Sequence, residues 1–284
     1  MQHMGWLALD IDGTLTHSKY SIPHKVITYL KKRCQEGWKI IILTGRSYPF
    51  AMPSVKDIDF PYILSTQNGS IAIHMPKKTT IFKNFFHIDN CMHLEKKARG
   101  YDLAFIVYGD DYKCYYKKSG KYNSYIDFIV EINKQEKVGF DDFTQINELK
   151  YSPLIKIVGP YAEAMKLQNK LEQEDLCEST LIKDPFHDNF YILLLTKKGV
   201  SKGTCIEKIL SFHSDNKIVI AAGNDRNDIS MFKRADISVA MSGAPEDVLH
   251  KADIIAPPCS DNGIIDGLDM AIAKAYNIDN TKLN

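Results

Sequence analysis

The chain has 284 residues, 44% of them hydrophobic and 25% charged, which is enough apolar mass for one large domain or a core with a smaller insertion. A formal net charge of +1 gives the chain as a whole no electrostatic reason to bind nucleic acid or a membrane surface. The purely apolar runs, such as Ile40–Leu43 and Ile192–Leu195, are strand-sized and far too short to cross a bilayer.

The opening residues, Met1-Gln-His-Met-Gly-Trp, lack the basic region, long apolar stretch and small-residue cleavage site of a secretory signal, so a cytoplasmic protein is expected. Trp6–Leu9 reads as a buried strand feeding the polar loop Asp10-Ile-Asp-Gly-Thr. Ile22–Glu36 reads as a helix: Pro23 suits its first turn, Val26, Ile27, Leu30 and Cys34 recur at helical spacing, and Gly37 ends it. Lys39–Leu43 is the next strand, and its unbroken apolar run is what helices on both faces of a sheet require. A third strand, Tyr62–Ser65, runs into Gln67-Asn68-Gly69.

The middle, 82–197, differs in texture. Seven of the fifteen tyrosines fall between Tyr101 and Tyr125, and a Lys118-Ser-Gly-Lys turn separates two strand-like runs. A strand at Leu154–Val158, a helix at Tyr161–Glu172 and two strands around Pro185-Phe-His-Asp follow. This pattern predicts an α+β insertion with an antiparallel sheet. Tyr108, Tyr112, Tyr115, Tyr116, Tyr122 and Tyr125 invite a sugar-stacking role, but tyrosine also suits a half-buried strand surface, and structural roles are the expectation. Phe186 and His187 are candidates to face a substrate.

The tail returns to alternating elements: helices at Ser201–Phe212, Asn227–Arg234 and Pro245–Lys251, and strands at Lys217–Ala222, Asp236–Ala240 and Asp253–Ala256. Strands and helices alternating at this spacing predict an α/β fold with a doubly wound parallel sheet, interrupted by the α+β insertion. The six cysteines form no CxxC pair and no Cys/His cluster, and are expected to be reduced and structural.

Four segments at strand or helix ends carry the chemistry, where ligands of open α/β sheets bind. In Asp10-Ile-Asp-Gly-Thr two carboxylates spaced i, i+2 can face one ligand, and Gly13 lets the backbone turn around it. Asp10 can attack phosphorus while Asp12 gives a proton to the leaving oxygen; the bland alternative is a solvated acidic turn. Thr44 offers a hydroxyl and Gly45 an open backbone N–H to phosphate oxygens, although Thr-Gly is also a common strand-to-loop step. Lys202, at a helix N-terminus, opposes the helix dipole and calls for an anion nearby, unless it is an ordinary surface lysine. Gly223-Asn-Asp-Arg-Asn-Asp228 clusters oxygens that suit Mg²⁺, or else forms an Asx-rich turn capping the next helix.

Taken in order, these segments resemble the four signature motifs of the haloacid dehalogenase superfamily. The insertion of over a hundred residues between Thr44 and Lys202, together with Gln67-Asn68-Gly69 and Lys198-Gly-Val-Ser-Lys-Gly203, is similar to the Cof-like sugar-phosphatase branch. That resemblance implies a Rossmann-like catalytic core at 1–81 and 198–284, with a cap at 82–197 that selects substrate. Hinges near 81–86 and 196–200 would let the cap open and close. It implies Asp10 as nucleophile, Asp12 as general acid and then base, and Thr44 and Lys202 holding the transferring phosphoryl group. Ile11, Gly13, Gly45, Arg46, Asn68 and Asn227 would complete phosphate and substrate binding. Mg²⁺ would sit on Asp10, the Asp12 carbonyl and Asn224, with Asp228 and Asp225 supporting the loop. The expected activity is hydrolysis of a small phosphorylated metabolite by a monomer or weak homodimer. A phosphomutase, or a phospho-ligand binding protein of weak turnover, are the alternatives. Two positions depart from the family pattern: Asn224 stands where an Asp is usual, and Leu194 where many relatives carry an acid.

Overall fold

The computed structural model describes residues 4–17, 21–110, 113–117, 125–128, 130–131, 140–142, 146, 149–184, 189–213 and 217–282. Tyr112, Tyr122, Phe186, His187 and the Lys118-Ser-Gly-Lys turn lie outside them. The chain divides into two compact units, one of Met1–Arg46, Ala51–Phe82 and Ser201–Asn284, the other of Ser47–Phe50 and Lys83–Val200.

The first unit is built on strands β1 (Gly5–Asp10), β2 (Trp38–Leu43), β3 (Tyr62–Thr66), β4 (Ile71–Met75), β5 (Thr79–Lys83), β14 (Ile218–Gly223), β15 (Ile237–Met241) and β16 (Ile254–Ala256). They lie in the order β16-β15-β14-β1-β2-β3-β4-β5. Pairing is parallel from β16 to β3, with Gly5 opposite Ile218 and Asp10 opposite Leu43, and turns antiparallel between β3 and β4. The expected parallel sheet therefore carries an antiparallel edge, added when the chain doubles back through Gln67-Asn68-Gly69. Asn68 and Gln67 both adopt positive φ there.

All six residues of β1 are buried, and β2 is buried at every position but Lys39. On one face Trp6, Ala8, Ile41 and Leu43 pack against Cys205, Ile206 and Ile209 of the helix Lys202–Ser211 and against Met231 and Phe232 of the helix Ile229–Arg234. The helices His24–Gln35 and Ile264–Lys282 also contact the sheet, the second along β14, β15 and β16. This two-sided cover is why the strand sequences do not alternate. Three features exceed the sequence reading: the helix Tyr48–Val55 around Pro53, the antiparallel edge, and Ile264–Lys282.

The second unit carries β6 (Phe86–His87), β7 (Ala104–Tyr108), β8 (Cys114–Lys117), β9 (Phe140–Asp142), β10 (Tyr151–Ser152), β11 (Leu154–Gly159), β12 (Cys177–Lys183) and β13 (Tyr191–Lys197). Its main sheet runs β12-β13-β11-β7-β8-β9, antiparallel except for the parallel β8–β9 pair. Leu94 of the helix Ile88–Ala98 and Leu167 and Leu171 of the helix Tyr161–Gln173 pack on Phe105, Val107, Ile155 and Leu193. The opposite face buries Ile106, Tyr108, Leu194 and Tyr125. Tyr108, Tyr115 and Tyr125 are thus core residues, and the Tyr125 hydroxyl donates to buried Asp184 at 2.8 Å. All six cysteines are free thiols. Among the described residues no helix is long and apolar enough to cross a membrane.

Candidate active site

The strand order β14-β1-β2-β3 sets four carboxyl ends side by side, so loops far apart in sequence become neighbours. Asp10 closes β1 and is almost wholly buried. Its Oδ1 accepts from Lys202 Nζ at 2.5 Å, and the same ammonium donates to Asp228 Oδ1 at 2.6 Å. Lys202 and Asp228 are both 0% exposed, which settles the choice left open for this lysine: it is a core residue flanked by two carboxylates.

Lys202 reaches that position because Ser201 caps the helix, accepting from the Thr204 N–H at 3.2 Å, and because Gly203 lies against the Ser230 backbone. A methyl group at Gly203 would overlap the Ser230 carbonyl oxygen, so this glycine sets how closely the two helices approach. Asp228 also ties down the β14 loop, its Oδ2 accepting from the Asn224 N–H at 2.8 Å and the Asp225 N–H at 3.0 Å.

Burial raises the Asp10 carboxyl to about 8; Lys202 opposes that rise, and Asp228 and Asp12 add to it. Burial pulls the Lys202 ammonium downward, but Asp10 and Asp228 outweigh it and hold the group above its ordinary value. Lysine is the cation of the triad, and the two carboxylates compete for it.

The other candidates separate by position. Asn224 lies against Gly13, which has φ +77°, and its Oδ1 accepts from Thr14 Oγ1 at 3.1 Å. Asp225 instead turns its carboxylate back to cap the loop, accepting from the Arg226 N–H at 2.7 Å, and burial raises it to about 6. Thr44 is buried, with Oγ1 accepting from the Arg46 N–H at 3.1 Å and its carbonyl accepting from the Asn68 N–H at 3.0 Å. Asn68 in turn accepts from Asn227 Nδ2 at 3.3 Å. A methyl group on Gly45 would meet, among the described residues, only that Asn227 nitrogen at 3.8 Å, so the backbone there stays open. Ile11 is fully buried, so its side chain packs in the core.

Arg46 behaves differently from the sequence expectation. Its guanidinium grips both oxygens of the half-exposed Asp12 carboxylate, with Nε–Oδ2 at 2.8 Å, while Nη1 donates to Ser54 at 2.9 Å. The planar fork matches a carboxylate in two parallel bonds, which is why it settles there. Three neighbours were not anticipated. Thr14 lay within the first motif and could have been found; Ser54 and Cys259, whose Sγ contacts the Thr14 carbonyl at 3.2 Å, gave no local signal.

The assembled set offers an Asp10 oxygen that no described residue hydrogen-bonds, a buried ammonium, a hydroxyl, an open backbone and several neutral oxygens. Such a group can hold a tetrahedral oxyanion and attack its centre.

Comparison with known proteins agrees with this geometry. The family model described as haloacid dehalogenase-like hydrolase matches residues 7–268. A 5-amino-6-(5-phospho-D-ribitylamino)uracil phosphatase of Bacillus subtilis is 22% identical over 291 residues, covering 96% of this chain and 100% of its own. A pyridoxal phosphate phosphatase of Escherichia coli is 24% identical over 259 residues, covering 88% and 92%. Among solved structures, a phosphatase of the same superfamily from Bacteroides thetaiotaomicron superposes with TM-score 0.77 at 23% identity, covering 94% of this chain and 95% of the other. A sugar phosphatase of subclass IIB gives TM-score 0.71 at 23% identity, covering 94% and 98%. With a match that spans nearly the whole sequence and all four motif loops, the chain belongs to the haloacid dehalogenase-like hydrolases, of the Cof-like type.

Proposed function

We propose that the protein is a Mg²⁺-dependent phosphatase that hydrolyses small phosphorylated metabolites through an aspartyl-phosphate on Asp10. The observation that carries the reading is the buried Lys202 bridging Asp10 and Asp228 beside the Asp12 carboxyl. The relatives named as phosphatases of pyridoxal phosphate, a ribitylaminouracil phosphate and sugars support a small phosphomonoester as substrate. We assign its selection to the inserted unit.

In the first half-reaction an Asp10 oxygen forms a bond to phosphorus as the ester P–O bond breaks, and Asp12 gives its proton to the departing alkoxide. In the second, the Asp12 carboxylate takes a proton from water, whose oxygen bonds to phosphorus. The Asp10–phosphorus bond breaks, inorganic phosphate leaves, and Asp10 is a carboxylate again. Lys202 and the Thr44 hydroxyl hold the equatorial oxygens, where charge neutralisation matters most. Arg46 orients Asp12 for both proton transfers.

The donor set is all oxygen: Asp10, the Asp12 carbonyl and Asn224, whose Oδ1 is already drawn to the Asp10–Thr14 loop by Thr14. Hard oxygen donors fit Mg²⁺, which needs only one or two carboxylates besides phosphate oxygens. When bound, the ion would neutralise phosphoryl charge. Asp225, used as a cap, is not among the ligands we assign.

The test is phosphate release from p-nitrophenyl phosphate and a panel of sugar phosphates, with and without Mg²⁺. Turnover that requires the ion supports the reading, and none on any substrate at high Mg²⁺ overturns it.

Two further results are expected. Asn224 supplies oxygen without charge, so Asn224→Asp should lower the Mg²⁺ concentration for half-maximal rate by roughly fivefold or more. An unchanged Mg²⁺ dependence would remove Asn224 from the ligand set. Because the Asp10 proton must leave before a cation binds, Mg²⁺ affinity should climb as pH rises toward about 8 and then level off. The gain approaches tenfold per pH unit below that point. Calorimetric titrations at about pH 6.5 and about pH 8.5 check this, and equal affinities would contradict it.

A further inference from the structure

The guanidinium that grips Asp12 is itself held by a second residue, and that residue lies outside all four motifs. Ser54 sits in the last turn of the helix Tyr48–Val55, whose buried residues are Ala51, Ser54 and Val55. It is 1% exposed, so its hydroxyl faces the interior beside two apolar neighbours. A hydroxyl buried in this way costs stability unless it finds a partner. The partner is Arg46, whose Nη1 donates to Ser54 Oγ at 2.9 Å. The Ser54 backbone is anchored as well, its carbonyl accepting from the Ile22 N–H at 3.3 Å.

The consequence lies in the shape of the guanidinium. Nε and Nη2 face the two Asp12 oxygens, and Nη1 is left to Ser54. Asp12 is half-exposed, and an arginine paired only with such a carboxylate moves with its own rotamers, which is why exposed ion pairs contribute little. A third bond to a buried, backbone-anchored oxygen fixes the plane of the fork and with it the plane of the carboxyl it grips.

We propose that Ser54 is a positioning residue for proton transfer: by fixing Arg46, it holds the Asp12 carboxyl at the angle from which its proton reaches the leaving oxygen. This rests on the phosphatase reading and deepens it, because Ser54 itself neither attacks, protonates nor binds. The step it serves is transfer of the Asp12 proton to the ester oxygen as that oxygen's bond to phosphorus breaks. With Asp12 protonated, one of its oxygens keeps a bond to Arg46, so the carboxyl stays oriented while its O–H meets the leaving group.

The test compares phenyl phosphate with p-nitrophenyl phosphate, two esters of nearly one shape. Nitrophenolate departs unaided, whereas phenolate needs the proton. The quantity read is kcat/KM, which covers the steps through departure of the alcohol. Ser54→Ala should lower it roughly tenfold on phenyl phosphate and less than about threefold on p-nitrophenyl phosphate, the scale expected for one hydrogen bond to a charged group. A serine with a merely structural role would lower both alike. Ser54→Cys, of similar size but a poor acceptor, should give the same selective loss, and it decides the matter if the alanine variant does not fold. In an Arg46→Gln background Ser54→Ala should change the ratio no further, because the serine acts only through that guanidinium. Wild-type protein inert on both esters would overturn the phosphatase reading and this assignment together. Wild-type turnover with equal losses on the two esters, or a Ser54→Ala effect undiminished in Arg46→Gln, would overturn this assignment alone.

Discussion

Asp10→Asn should leave a folded protein that releases phosphate at least about 10³-fold more slowly than wild type. An amide oxygen is a poor nucleophile, and it cannot form the acyl phosphate that the two-step route requires. The replacement keeps the size of the side chain and an oxygen for Lys202, so the packing around the triad need not change. Burial already disfavours a charged Asp10, which makes a neutral group at that position tolerable to the fold. Initial rates on p-nitrophenyl phosphate, together with a thermal melt of both proteins, separate the two effects. A variant that kept more than about a tenth of the wild-type rate would exclude Asp10 as the nucleophile.

Lys202→Met is expected to damage stability as well as turnover. The Lys202 ammonium is shared between two carboxylates, at 2.5 Å and 2.6 Å, with no exposure to water. Removing the cation strands the buried Asp228 carboxylate beside Asp10, and breaking a buried ion pair in this way costs about 3–5 kcal/mol. A urea titration should show this as a lower midpoint with an unchanged slope. Adding Asp228→Asn to Lys202→Met removes the stranded charge, and should recover part of the stability but none of the activity. That non-additive pattern is the signature of residues acting in one network. If Lys202→Met melted like wild type, the lysine would not be the structural cation described above.

The sequence announced the strands of the central sheet because their apolar runs are unbroken, and it announced the loops because polar residues with glycine follow each run. Asp10, Thr44, Asn68 and the Asn224–Asp228 loop meet because the strands carrying them are adjacent in the sheet, which alternation of elements already implied. Tyr62–Thr66 was readable for the same reason, but the antiparallel strand Ile71–Met75 was not, since a short apolar run gives no sign of its direction. The helix Tyr48–Val55 was hidden by its own prolines, which argue against a helix when read locally. Lys202 is the sharpest case. A lysine is normally a surface residue, and only the two carboxylates brought in from β1 and the β14 loop make burial tenable. The Arg46–Asp12 pair is also invisible in one dimension, because it links residues 34 apart.

The pairing of Gly5 with Ile218 has a consequence for the life of the nascent chain. One edge of β1 has to wait for a strand encoded 213 positions later, and at ordinary synthesis rates that wait is roughly 10–40 s. Lys83–Val200, by contrast, is nearly continuous and holds all the strands of its own sheet, so it can condense on the ribosome first. The order of emergence thus makes the catalytic half the last to close, with β1 the strand exposed to wrong partners in the interval.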